Sequence, residues 1–419
     1  MAVRLAFGLL LVLATALLYF PAITRALRQP DAFKWLQWLF VGSRVAGWLG
    51  TYVVLGELTR YSDLVLYYHS EAVLAVGGQL PYIDFPTSYG PLFPYVAGVG
   101  LLVWPERAAI ALVMIAFEVA SVLLFVRRAA TVGGTQIETI NKCLFVYLCS
   151  PAALYWSGML AYNSSIVLFF WVLSISFLVR GSYAASLGLV GASIVVGKFL
   201  GVLVAPVWLA AGRRRVPVLA LFGLGALVLT AWLRQQGVDL LLPLVREGGR
   251  STSGNIWFLL SGLVALSADG VLWRYGPLSI LALSLATLAA WLWSRWKQSP
   301  TVTEVCAAVA ATGWLFMLLS KKSYPHYVPM FLLFFVFAVS AHRPQNPRWA
   351  VLLAMIGLVG ILEPGIWNGL GQPQWLSAVE PSGRTALYYA LIVADATMVG
   401  AGAYYLAVSA RIAGRIHRA

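Results

Sequence analysis

Apolar segments of helical length recur along this chain from Leu5 to Val408, separated by short polar connections. About 20 apolar residues suffice for a helix to cross the hydrocarbon core of a bilayer. The 419 residues are 61% apolar and 11% charged, whereas soluble domains are roughly 45–50% apolar and about 25% charged. A water-soluble globular protein is excluded, and the pattern predicts an all-α polytopic membrane protein.

We expect one transmembrane domain over residues 1–419 with twelve or thirteen transmembrane helices. The number depends on the first apolar segment, which also resembles the start of a signal peptide and would be lost if it were cleaved. Several predicted spans are short, so residues 165–211 are expected to contain broken helices. The thirteen segments are 5–23, 36–57, 108–126, 143–160, 165–179, 183–197, 199–211, 216–233, 276–294, 302–319, 327–341, 349–362 and 386–408.

The formal charge of +14 falls mainly in alternate short connections, which hold 17 of the 29 lysines and arginines. The positive-inside rule makes that side cytoplasmic and places the N-terminus outside, so the charge predicts membrane orientation and no nucleic-acid partner. Arginine-rich inner connections without a recognisable organelle signal suit a bacterial cytoplasmic membrane. The long outer connections, residues 58–107 and 234–275 above all, are where we expect the chemistry.

The first long outer loop carries the densest motif of the chain. Asp63 follows the second apolar span, Gly78-Gln79-Leu80-Pro81-Tyr82 comes some fifteen residues later, and Tyr89-Gly90-Pro91-Leu92 follows. Prolines and glycines break helices and tyrosines favour the interface, so short interfacial helices are expected there. Further along lie Lys198 with Pro206, and the run Ser323-Tyr324-Pro325-His326-Tyr327.

These motifs resemble the membrane glycosyltransferases of the C-type fold, in particular the bacterial lipid α-mannosyltransferases and the mannosyltransferase of GPI-anchor assembly. The resemblance implies transfer of a sugar, most simply mannose, from a polyprenyl phosphate donor to a lipid-linked or glycan acceptor on the extracytoplasmic face. It also implies that membrane lipids are partners. Many relatives carry a pair of acids where this chain has Asp63 alone, and one carboxylate is a poor cage for a hard cation, so no divalent metal or other cofactor is expected.

Sugar transfer requires a base for the acceptor hydroxyl, and Asp63 is the catalytic candidate. A single displacement would invert the anomeric carbon. The alternative is that Asp63 only caps a helix or pairs with Arg60.

The departing phosphate calls for positive charge, supplied on this hypothesis by Lys198, Arg250, Lys321, Lys322 and His326. Each also has a plainer interpretation, as an interface anchor or a solvated loop residue. Four tyrosines are candidates to line the sugar or lipid site: Tyr67, Tyr82, Tyr89 and Tyr324.

A secondary transporter or lipid flippase is the main alternative, with Lys198, Glu118 and Asp395 as coupling charges inside apolar segments. It is disfavoured because polar residues concentrate in the outer loops and no internal repeat is visible. A glycan polymerase or ligase is disfavoured because the strongest motif lies in the first outer loop. Cys143, Cys149 and Cys306 show no metal-ligand spacing. Arg44 interrupts a span without an evident reason.

Overall fold

The computed structural model describes residues 2–55, 62–131, 135–212, 216–239, 251–263, 271–296, 298–342, 346–380 and 384–414. Within these ranges the chain forms helices and turns, and an isolated bridge between Pro81 and Phe85 is the nearest approach to a strand. Among the described residues, six helices are long and apolar enough to cross a bilayer, and a bent pair raises the number to seven. The protein is therefore an all-α integral membrane protein with several spans, as predicted.

Seventeen α-helices lie in the described ranges and are numbered here in chain order. They are α1 Ala2–Ala16, α2 Pro21–Ala26, α3 Pro30–Trp48, α4 His69–Val76, α5 Phe93–Gly98, α6 Arg107–Thr131, α7 Ile137–Leu148, α8 Ser164–Val179, α9 Tyr183–Ala192, α10 Ala205–Ala211, α11 Val216–Gln235, α12 Ile256–Leu263, α13 Val271–Arg295, α14 Val302–Leu319, α15 Pro329–His342, α16 Arg348–Gly369 and α17 Ala386–Ala413. Shorter 3-10 and π-helical turns join them. The π-helical turns are Leu49–Val54, Leu64–Tyr68, Ala153–Met159 and Ser193–Gly197.

Several segments that hydropathy predicts as crossings are shorter or bent helices. The predicted spans 143–160 and 165–179 contain the π-helical turn Ala153–Met159 and α8, whose axes differ by 105°. Between them Ala161 has a φ of 54°, a left-handed conformation that turns the chain sharply. The expected break in 165–211 is confirmed at Lys198, which is extended between two helical turns.

The centre of the bundle is α14, which packs against α15 and α17 and is almost wholly buried. Small residues permit this close packing. A Cβ added at Gly313 would lie 2.2 Å from the ring of Phe331 in α15. The helix begins with a capping box between Thr301 and Glu304, which satisfies backbone donors at its N-terminus.

A buried ion pair explains the charged residues at positions 44 and 118. Arg44 of α3 donates from Nε and Nη2 to Glu118 of α6 at 3.1 and 2.9 Å, and both side chains are fully buried. The Tyr147 hydroxyl of α7 donates to the same carboxylate at 3.2 Å, and the guanidinium lies 4.4 Å from the ring of Phe40. Glu118 thus joins three helices and does not stand as an isolated charge.

Candidate functional site

Asp63 stands at the start of the π-helical turn Leu64–Tyr68 and is half-buried. Its side chain makes no helix-capping hydrogen bond. Instead, Oδ2 accepts a hydrogen bond from the Tyr89 hydroxyl at 3.2 Å. The capping alternative is therefore wrong, while Arg60, the other suggested partner, lies outside the described residues.

Tyr89 is buried and held on several sides. Its backbone N–H donates to the Thr87 hydroxyl at 3.1 Å, and that hydroxyl donates to Glu71 at 2.8 Å. The Tyr82 hydroxyl donates to the Tyr89 carbonyl. Tyr82 and Tyr89 are predicted to line a sugar or lipid site, and these bonds also give both a part in fixing the loop that carries Asp63.

The Tyr89-Gly90-Pro91-Leu92 motif docks against the π-helical turn Ser193–Gly197. Gly90 N–H donates to the Gly197 carbonyl at 3.1 Å, and Leu92 N–H donates to the Val195 carbonyl at 3.0 Å. A Cβ at Gly90 would lie 2.3 Å from the Val195 carbonyl oxygen, so only glycine permits this approach. The docking brings Lys198, the next residue after Gly197, beside Tyr89.

Lys198 is half-buried among aromatic rings. Its ammonium lies 5.3 Å from the centre of the Tyr89 ring and 4.7 Å from that of Tyr327, within cation–π range. Since the Tyr89 hydroxyl donates to Asp63, the predicted base and the predicted cation contact the same aromatic residue. Lys198 therefore lies within the protein, which disfavours simple snorkelling to the interface.

His326 is buried in the short 3-10 turn Pro325–Tyr327. Its ring stacks on Tyr162 with 4.1 Å between ring centres and on Tyr324 at 5.0 Å. Burial lowers the pKa of the imidazole well below its usual value, and the positive charges of Lys198 and Lys322 lower it further. His326 is thus neutral at physiological pH and is suited to hydrogen bonding rather than to charge.

Lys322 lies at the same end of the bundle, with its ammonium 5.6 Å from the ring of Tyr324. Burial lowers the pKa of this ammonium to about 7, the charge of Lys198 acts in the same direction, and Asp63 opposes both. The Lys321 carbonyl accepts hydrogen bonds from Thr252 N–H at 3.0 Å and from the Asn255 amide at 3.3 Å. The backbone of Lys321 therefore ties this loop to the segment 251–255.

The folded chain brings together four predicted residues from three separate segments of the sequence: Asp63, Lys198, and the neighbouring Lys322 and His326. Tyr67 is 40% exposed on the surface, and Arg250 lies outside the described residues. Sequence reasoning missed four residues that contact this site: Tyr68, Tyr162, Asn163 and Tyr327. The polar run Tyr162-Asn163-Ser164-Ser165 between two apolar segments was an available signal.

An apolar groove of about 660 Å³ begins beside this site. Tyr82, Tyr89 and Gly90 form one end of it. Its walls are the segment from α9 to Phe199 on one side and α11 on the other, and no residue of α11 is buried. The groove therefore runs from the polar cluster along a helix whose side chains are all at least partly exposed.

A second pair of acids lies inside the bundle, where Glu363 of α16 and Asp395 of α17 interact electrostatically. Ser253 donates to Glu363, and the buried Asp395 carboxylate lies beside the backbone N–H of Gly254. No group of three metal-ligating side chains occurs among the described residues. That the reaction needs no metal stays a prediction.

Comparisons of this chain with protein-family models, curated proteins and solved structures find no match.

Proposed function

We propose that this protein is a membrane glycosyltransferase that moves a sugar, most simply mannose, from a polyprenyl phosphosugar to a lipid-linked or glycan acceptor. The observation that carries the proposal is the convergence of Asp63, Lys198 and His326 on one site. A carboxylate bonded to the Tyr89 hydroxyl and a cation over the Tyr89 ring supply the base and the positive charge that transfer from a phosphate leaving group uses.

In the proposed reaction Asp63 takes the proton of the acceptor hydroxyl as that oxygen attacks the anomeric carbon. The bond between this carbon and the phosphate oxygen breaks, so the anomeric centre inverts and the polyprenyl phosphate leaves. Lys198 and Lys322 offset the negative charge of the phosphate, and neutral His326 donates a hydrogen bond to it. The proton ends on Asp63, and no group outside the two substrates is consumed.

The groove between α9 and α11 supports a lipid donor. Its walls are almost entirely apolar, and it ends at Tyr89, whose ring lies beneath the Lys198 ammonium. A polyprenyl chain in the groove would bring its phosphate to that ammonium. We further propose that the site faces the extracytoplasmic side of a bacterial cytoplasmic membrane, because the arginine-rich connections lie on the opposite side in the predicted topology.

The proposal is tested by incubating the purified protein with radiolabelled undecaprenyl phosphomannose and a mixed bacterial lipid extract. We expect label to appear in a new glycolipid whose anomeric configuration is opposite to that of the donor. Treatment with EDTA should leave the rate unchanged. Binding of the donor without transfer to any lipid or glycan acceptor would contradict the proposal, as would a product of retained configuration.

Lys322 predicts a pH dependence of phosphate binding. Because its pKa is about 7 in the folded protein, the dissociation constant for undecaprenyl phosphate should rise by up to about tenfold per pH unit above pH 7 as the ammonium loses its proton. Without bound ligand, Lys322 is protonated in the unfolded chain but largely deprotonated in the folded protein between pH values of about 7 and 10.5. The free energy of unfolding should therefore increase with pH in that window.

Lys322→Arg keeps its charge at these pH values and should flatten the binding profile. Lys321→Arg, a matched substitution at the neighbouring residue, should leave the wild-type profile. Equal pH dependence in wild type and Lys322→Arg would show that Lys322 is not the titrating group.

The buried carboxylate of Asp395, which interacts with that of Glu363, favours a second candidate function, a carrier in which Asp395 takes up a proton or cation. Glu118, the other acid of that hypothesis, is already paired with Arg44. Translocation of a labelled lipid across liposome membranes without any sugar transfer would favour the carrier over the enzyme.

A further inference from the structure

The start of α8 carries polar side chains whose hydrogen-bonding capacity is unused. Asn163 immediately precedes the helix and Ser164 is its first residue, and each is at most 2% exposed. Among the residues that the structure describes, neither Asn163 Nδ2 nor Ser164 Oγ has a hydrogen-bond partner. The same holds for His326 Nε2 and Trp156 Nε1 nearby. Leaving a buried donor unsatisfied costs about 1–3 kcal/mol, so a group of them needs an explanation.

These donors lie within the cluster around Asp63. Asn163 N–H donates to the Tyr68 hydroxyl at 3.1 Å, and the Tyr68 ring packs against Tyr89 with 5.2 Å between ring centres. Tyr162, the residue before Asn163, stacks on His326 at 4.1 Å. A Cβ at Gly197 would lie 3.7 Å from the backbone nitrogen of Val167, so the first turn of α8 adjoins the residue that precedes Lys198.

The chemistry of this place favours a negatively charged oxygen. The amide nitrogen of Asn163 and the indole nitrogen of Trp156 can only donate, so they need acceptors. The N-terminus of a helix carries a partial positive charge, and the 105° bend before α8 prevents the preceding turn from continuing that helix. Lys198 and Lys322 add positive charge on the accessible side of the cluster, where both are half-buried.

We infer that the first turn of α8, with Asn163 and Ser164, binds the phosphate of the lipid substrate together with Lys198 and His326. The inference rests on the proposed function, since it assigns the phosphate-binding element of that same site. It identifies the ligand class as a lipid phosphate monoester or diester, whose oxygens accept the donors that the protein leaves unsatisfied. Asn163 is then a binding residue, although no sequence motif singled it out.

The test compares binding of undecaprenyl phosphate and of undecaprenol, which lacks the phosphate, to the full-length protein in nanodiscs. In Asn163→Asp we expect the dissociation constant for undecaprenyl phosphate to rise at least about tenfold, because a carboxylate repels the phosphate. Undecaprenol binding should change less than about twofold. The melting temperature should fall by no more than a few degrees, because the helix dipole offsets part of the cost of burying a carboxylate at a residue that is 1% exposed.

Thr301→Asp is the control for added charge alone, since it places the same charge at the exposed N-terminus of α14 and should leave both affinities unchanged. Unchanged phosphate affinity in Asn163→Asp, or equal loss of affinity for both lipids, would overturn the inference and leave water as the partner of these donors. The proposed function fails separately: wild-type protein would then bind undecaprenyl phosphate normally yet transfer no sugar from undecaprenyl phosphomannose.

Discussion

Replacing Asp63 with asparagine is expected to lower the rate of sugar transfer by about 10²- to 10⁴-fold, the usual contribution of a general base. The amide keeps the size of the carboxylate and can still accept the hydrogen bond from Tyr89, so the loop should stay in place. What it cannot do is take the proton of the acceptor hydroxyl. Initial rates with radiolabelled undecaprenyl phosphomannose, measured at equal protein levels, give the comparison.

Glu106→Gln is the control for this substitution, because it removes an exposed acid from the same long connection and should leave the rate unchanged. The donor affinity of Asp63→Asn should stay close to that of wild type, since the missing step is proton transfer rather than binding. Transfer by Asp63→Asn at the wild-type rate would mean that another group removes the proton, and the assignment of Asp63 as base would be wrong.

Loss of Glu118 is expected to destabilise the fold by about 3–5 kcal/mol, because Glu118→Ala leaves the Arg44 guanidinium buried and unpaired. Both side chains are fully buried and joined by two hydrogen bonds. The Tyr147 hydroxyl would lose its acceptor as well. Chemical unfolding in detergent micelles, followed by tryptophan fluorescence, measures the change in the free energy of unfolding.

Two further variants separate the charge from the packing. The double variant Arg44→Met/Glu118→Met should recover most of the lost stability, because no charge then remains buried. Arg28→Met breaks a pair with Glu138 whose arginine is 55% exposed, and it should cost less than about 1 kcal/mol. If Glu118→Ala cost no more than Arg28→Met, the ion pair would not contribute to holding α3, α6 and α7 together.

The amino-acid sequence determined the class of structure and the position of the strongest motif. Long apolar segments leave a chain no stable option in lipid but helices that satisfy their own backbone hydrogen bonds, and the described structure is helical as expected. The sequence also predicted broken helices in residues 165–211, because Lys198 lies between two apolar runs that are each too short to cross a bilayer. Asp63, Lys198, Lys322 and His326 were named from their residue types, their local patterns and the family resemblance that these patterns carry.

Tertiary structure decided how many apolar segments form long spans and what each polar residue contacts. Hydropathy measures composition along the chain, so it counted thirteen crossings. In the part of the chain that the structure describes, six helices, or seven with the bent pair, are long enough to cross a bilayer. It gave no reason for Arg44 because the partner, Glu118, is 74 residues away. Tyr89 became a support for Asp63, and Asn163 joined the site, only because the docking of Gly90 on Val195 and the bend before α8 bring separate segments into contact.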